Sequence, residues 1–122
     1  MGCNRDSLTL NGVEYVRKDL MGAATPKEGM KYVICRTYSA GVFAGFIESR
    51  DGQEVVMRDA RRLWQWAGAA SLSQLAMEGT SRPNECKFPC AVDRVELLQV
   101  IEILDCTEQA MISIQGVKEW KA

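Results

Sequence analysis

The chain has 122 residues, of which 47% are hydrophobic and 25% charged, enough to bury the core of a single domain without help from metal or disulfides. Fifteen basic residues against sixteen acidic ones leave a net charge of −1. No overall field therefore draws in a polyanion such as duplex DNA or RNA, whereas a small anion in a local pocket needs only a few arginines.

The opening MGCNRDS reads as neither a secretory leader nor a myristoylation signal, because Asp6 stands where that signal needs Ser or Thr. Residues 1–7 are expected to fray. LTLNGVEYVRK, residues 8–18, places Asn11-Gly12 between alternating segments, which predicts a β-hairpin with a type I′ turn. DLMGAATPKEGM reads as a connecting loop with a helical turn before Pro26. Residues 31–39 and 41–49, rich in β-branched and aromatic side chains, predict neighbouring antiparallel strands. A third strand is expected after Asp51-Gly52, giving a meander. Alternation puts Tyr32, Ile34, Arg36 and Tyr38 on one face of the first of these strands.

The third strand runs towards ARRLWQWAG, residues 60–68. With a period of two, Arg62, Trp64 and Trp66 share one face and Arg61, Leu63 and Gln65 the other. A guanidinium beside indole rings suits a nucleobase and its phosphate. The same residues also make an ordinary Trp core with a snorkelling arginine, and alternation alone leaves both readings open.

Ser71 and Gln74 fit a capping box and Gly79 a helix end, so a short helix is expected over residues 72–78. Its N-terminus offers free N–H groups to an anion. Residues 80–92 hold two prolines and read as a loop, in which Phe88 must either enter the core or meet a partner. Residues 94–106 read as one strand on the weight of Val95, Val100, Ile101 and Ile103. Thr107 then caps a helix over EQAMISIQG, closed by Gly116. The expected fold is α+β: an antiparallel sheet, hairpin plus meander, with two short helices.

The chain has no histidine, which removes histidine general bases, Ser-His-Asp and Cys-His pairings, and His metal ligands. No phosphate loop or dinucleotide fingerprint is present. The five cysteines are scattered and odd in number, which fits reduced thiols in a cytoplasm. The Cys86/Cys90 pair would need distant partners to close a zinc site. The residues thus describe a binding module with no catalytic group, metal or cofactor.

At RTYSAGVFAGFIESRDG, RRLWQWAGAASLSQLAMEGT, NECKFPC and VIEILDCTEQA, the sequence resembles the first-described family of Thoeris anti-defence sponges. The likeness runs from about residue 31 to the C-terminus, roughly three quarters of the chain. The resemblance implies a phage protein, acting in the cytoplasm of the infected bacterium, that sequesters cyclic nucleotide messengers without cleaving them. The messenger it implies is glycocyclic ADP-ribose, with cyclic oligonucleotides held in separate pockets by some members. It also implies a homo-oligomer, a dimer or a hexamer, with neither a nucleic acid polymer nor a membrane as partner.

The site assignments rest on residue chemistry within these strings and are not carried over from the family. Arg36 and Arg62 are the phosphate forks. Tyr38, Trp64, Trp66 and Phe88 are the stacking rings, Asn84 the reader of a base edge, and Arg94 a further phosphate contact. Two rival readings use the same residues: a small phosphodiesterase acting on the messenger, and a module that blocks a host protein through its Trp-rich face.

Overall fold

The computed structural model describes residues 7–10, 13–16 and 20–122. The Asn11-Gly12 turn and the expected fraying of residues 1–6 lie outside them. Two strands, β1 (Ser7–Leu10) and β2 (Val13–Val16), pair antiparallel from Ser7↔Val16 to Leu10↔Val13, so the predicted hairpin is present and already includes Ser7. Residues 20–21 are helical, ahead of Pro26 as the sequence predicts.

The main sheet holds β3 (Lys31–Thr37), β4 (Val42–Asp51), β5 (Glu54–Arg62), β6 (Val92–Leu97) and β7 (Val100–Asp105), in the order β6-β5-β4-β3-β7 and antiparallel throughout. Helices α1 (Leu72–Glu78) and α2 (Glu108–Gly116) complete an α+β fold. The predicted meander is therefore present. The single strand expected over residues 94–106 is instead two strands, broken at Leu98 and Gln99 and placed on opposite edges of the sheet.

That break forces the sheet to curl. In a flat five-stranded sheet, four spacings of about 4.8 Å would separate the edges by about 19 Å, but the three peptide steps from Leu97 to Val100 reach at most about 11 Å. The edges must therefore meet. Backbone bonds from Val100 N–H to the Gln53 carbonyl (3.0 Å) and from Tyr38 N–H to the Gln99 carbonyl (2.9 Å) close the structure there. Val33, Cys35, Phe43, Val55, Met57, Leu97 and Val100 fill the interior of the curl.

The outer face of the sheet carries Tyr32, Ile34, Ala44, Phe46 and Leu63, which pack beneath Leu75 and Ala76 of α1 and Ala110, Met111 and Ile114 of α2. A bulge decides which residues of β5 reach this layer. Asp59 and Ala60 stand opposite Gly45, between the pairs Ala44↔Arg61 and Phe46↔Arg58. Gly45 is required, because a Cβ there would come within 2.7 Å of the Ala60 Cα. Val55 and Met57 point into the curl before the bulge, and Ala60 does so after it. The one-residue shift in alternation turns Arg61 and Leu63 outward, under the helices.

The helix ends follow the sequence closely. Ser71 Oγ accepts from Gln74 N–H at 3.1 Å, and Gln74 Oε1 accepts from Ala70 N–H at 2.7 Å. These bonds occupy N–H groups that the sequence offered to an anion. Gly79 ends α1 with φ 77, its N–H bonded to the Leu75 carbonyl. Thr107 caps α2, accepting from Ala110 N–H at 3.1 Å, but Gly116 is the last helical residue and Val117 the cap. No helix among the described residues is long and apolar enough to cross a membrane.

Candidate functional site

Strand β5 ends at Arg62, and the chain then leaves the sheet. Leu63 N–H still bonds the Val42 carbonyl (2.8 Å), and Trp64 N–H bonds the Lys87 carbonyl (3.1 Å). Strand alternation therefore stops two residues short of Trp64, and the expected common face of Arg62, Trp64 and Trp66 is not a strand face. Trp64 is 62% exposed, while Trp66 turns its ring partly into the layer under the helices.

The three side chains nonetheless meet around one recess of about 290 Å³. Ser39, Ala40 and Gly41 of the β3–β4 turn and Val42 form one wall, and Arg62, Leu63, Trp64 and Trp66 the other. Thr37 stiffens the turn, its Oγ1 donating to the Gly41 carbonyl (2.7 Å) and accepting from Ala40 N–H (2.8 Å).

Arg62 lies with its guanidinium carbon 4.5 Å from the centre of the Phe43 ring, a cation–π contact that holds the fork without using its N–H groups. Among the described residues, the other arginines have their donors engaged. Arg36 pairs with Glu102 (2.8 Å), Arg58 with Glu48 (3.0 Å), Arg82 with Glu85 (3.7 Å) and Arg94 with Glu96 (2.7 Å). Arg50 donates to the Gly52 carbonyl (2.8 Å) and Arg61 to four carbonyls. Arg62 alone of this set has neither a carboxylate nor a carbonyl partner.

The remaining sequence candidates fall elsewhere. Phe88 is 0% exposed: its ring is core, packed in the layer beneath the helices, and it cannot stack on a ligand. Arg36 and Arg94 are held in exposed ion pairs and line no part of the recess. Asn84 is exposed in a short 3-10 turn, Pro83–Glu85, also outside it. Tyr38, 76% exposed, adjoins the recess through Ser39 without lining it.

One contributor escaped the sequence reading. Trp120, 44% exposed, lies parallel to Trp64, with ring centroids 6.4 Å apart and planes 10° apart. Lys87 Nζ stands 5.5 Å from the Trp120 ring centre. The pairing depends on the Lys87-Phe88 segment, which bridges to Gln65 on one side and to Glu119 on the other. Contacts of such sequence separation leave no local pattern.

The thiols take no part in the recess. Cys35, Cys86 and Cys106 are buried and Cys90 is exposed, all of them free. Burial pushes the Cys35 and Cys106 thiols up to about 12. Among the described residues, no group of three His, Cys, Asp or Glu side chains could hold a metal ion.

The chain belongs to a family described as a domain of unknown function, DUF6948, whose profile matches residues 30–114. The matched span covers the sheet from β3 to β7, α1 and most of α2. It includes Arg62, Trp64 and Trp66 and leaves out Trp120. No curated protein and no solved structure matches the chain.

Proposed function

We propose that the protein binds cyclic nucleotide messengers at the Arg62 recess and sequesters them without cleavage, as a phage anti-defence protein in the cytoplasm of the infected bacterium. The observation that carries this reading is the Arg62 guanidinium, without a carboxylate or carbonyl partner among the described residues, beside Trp64 and Trp66 in a concave site. A fork held by an aromatic ring, with its donors directed elsewhere, suits a phosphate, and exposed indoles suit a base. The resemblance to the Thoeris anti-defence sponges supplies the ligand class, with glycocyclic ADP-ribose as the first candidate and cyclic oligonucleotides as the second.

Nanomolar sequestration corresponds to about −12 kcal/mol, more than one stacked base at about 1–3 kcal/mol supplies. A recess of about 290 Å³ is small for such a ligand. A second copy of the chain therefore provides the missing wall, and light scattering at micromolar concentration is expected to report a dimer or a larger oligomer.

The test is a titration with glycocyclic ADP-ribose and a panel of cyclic di- and trinucleotides, followed by denaturation and recovery of the ligand. Saturable binding with intact ligand is the expected result. A hydrolysed product would replace this reading with a phosphodiesterase. The absence of binding to every member of the panel would favour a protein partner for the exposed Trp64–Trp120 pair.

A further inference from the structure

Trp64 belongs to two constellations. It lines the Arg62 recess, and its ring is paired with that of Trp120, beside which Lys87 stands. We infer that Trp120 and Lys87 form a second subsite of the messenger site, Trp120 for stacking and Lys87 for a phosphate, and that they select ligands with two phosphates over ligands with one. The inference rests on the reading of the Arg62 recess as the messenger site.

Three short backbone segments hold the subsite in place. The Trp64 and Gln65 N–H groups both bond the Lys87 carbonyl (3.1 and 3.3 Å), Lys87 N–H bonds the Gln65 carbonyl (2.7 Å), and Trp120 N–H bonds the Phe88 carbonyl (3.0 Å). Phe88, 0% exposed, anchors the middle segment in the core. The indoles and the lysine are thus attached to fixed backbone before any ligand arrives, which lowers the cost of ordering them on binding.

The rings themselves are open. Packed aromatic rings usually lie with centroids about 4.5–7 Å apart, and Trp64 and Trp120, at 6.4 Å with planes 10° apart, stand near the wide end of that range. Each covers little of the other, and 62% of Trp64 and 44% of Trp120 remain exposed. Two parallel indoles offer a base a larger stacking surface than Trp64 alone.

The charge selects the rest of the ligand. Lys87 is half-buried, with its Nζ 5.5 Å from the centre of the Trp120 ring, and it has no carboxylate partner among the described residues. Glu119, the acidic neighbour of Trp120 in the chain, pairs with Lys121 (3.8 Å). A half-buried ammonium without a counter-ion favours an anion beside it, and as a compact point charge it suits one phosphate. With Arg62 at the recess and Lys87 at Trp120, two cations share one run of indole surface. A ligand with a base and two phosphates engages both, whereas a cyclic mononucleotide engages one.

The experiment is calorimetric titration of 3′,5′-cyclic AMP, which has one phosphate, and of cyclic di-AMP and glycocyclic ADP-ribose, which have two. The proteins are the parent, Arg62→Ala, Lys87→Met, Trp120→Ala and Trp120→Phe, with thermal unfolding alongside. Lys87→Met keeps an unbranched stem against Trp120 and removes the charge. The parent is expected to bind at least one two-phosphate ligand about tenfold or more tightly than cyclic AMP. Lys87→Met is expected to weaken that ligand about tenfold and leave cyclic AMP unchanged. Trp120→Ala is expected to weaken it about five- to 150-fold, the effect of a lost stacking partner, while Trp120→Phe retains most of the affinity. A two-phosphate preference unaltered in Lys87→Met, or an unchanged affinity in Trp120→Ala, alongside weakened binding by Arg62→Ala, would overturn this inference alone. No binding of any of the three ligands by the parent would overturn the Arg62 reading with it.

Discussion

Arg61 and Arg62 sit side by side at the end of β5, and the fold uses them in opposite ways. Arg61 is 7% exposed and bonds four carbonyls, two from the Phe88-Pro89 loop and two, those of Ile114 and Val117, from the end of α2. Those last two belong to the helix terminus, whose negative dipole end stabilises a cation. Burial nonetheless pulls the Arg61 pKa below its ordinary value. Arg62 is exposed, lies against the Phe43 ring, and has no carboxylate or carbonyl partner among the described residues. A positive charge committed to backbone carbonyls is part of the scaffold; one held by a ring alone is available to a ligand.

The contrast is sharpest in the losses expected on mutation. Arg61→Ala would strand the Pro89 and Val117 carbonyls and remove a second donor from those of Phe88 and Ile114, which keep the Trp120 and Val117 N–H groups, and Phe88→Ala would leave a cavity beneath the helices, so each is expected to cost about 3–5 kcal/mol in urea unfolding. A loss under about 1 kcal/mol for Arg61→Ala would make it no more structural than its neighbour.

Alkaline titration probes the buried layer separately. The Cys35 and Cys106 thiols ionise near 9.0 when exposed and at about 12 in the fold. Between those values the unfolded chain gives up protons that the folded chain keeps. Their contribution is therefore complete below pH 9 and is lost as the pH rises towards 12, at about 1 kcal/mol per thiol per pH unit. Urea midpoints that stay constant from pH 8 to above pH 10 would show that the thiols are more open to water than their burial implies.

Trp64→Ala acts on the other side of the comparison. It is expected to weaken messenger binding by about 1–3 kcal/mol, the value of a stacked base, with little change in unfolding because the ring is already exposed. The reverse, unchanged binding with a large loss of stability, would return Trp64 to the core. Smallest of all, Arg36→Ala and Arg94→Ala remove exposed ion pairs and are expected to change stability by less than about 1 kcal/mol, with no effect on binding by calorimetry.

The sequence carried the local features of this fold well. Helix α1 was legible because Ser71, Gln74 and Gly79 each act on backbone groups within a few residues. The hairpin and the β3–β4–β5 meander were legible because alternation and Gly-containing turns are also local. The break between β6 and β7 was not, since Leu98 and Gln99 carry no turn chemistry and the reason for the bend is closure against Gln53 and Tyr38, far away in sequence. Alternation separated Arg61 from Arg62 correctly, but it could not say which would be buried. That depends on the bulge at Asp59 and on the steric need for Gly45 opposite it. Phe88 posed the same difficulty in a loop, where only the packed structure shows that the ring turns inward, and Trp120 came into the picture only through the Lys87-Phe88 bridge.

Calorimetric titration of glycocyclic ADP-ribose and cyclic oligonucleotides into the parent and Arg62→Ala proteins, with thermal unfolding on the same samples, tests the role proposed for Arg62 most directly. Loss of a charge-assisted contact predicts binding weakened roughly ten- to a hundredfold at an unchanged unfolding temperature. An Arg62→Ala protein that binds these ligands as tightly as the parent would contradict the assignment of the recess as the messenger site.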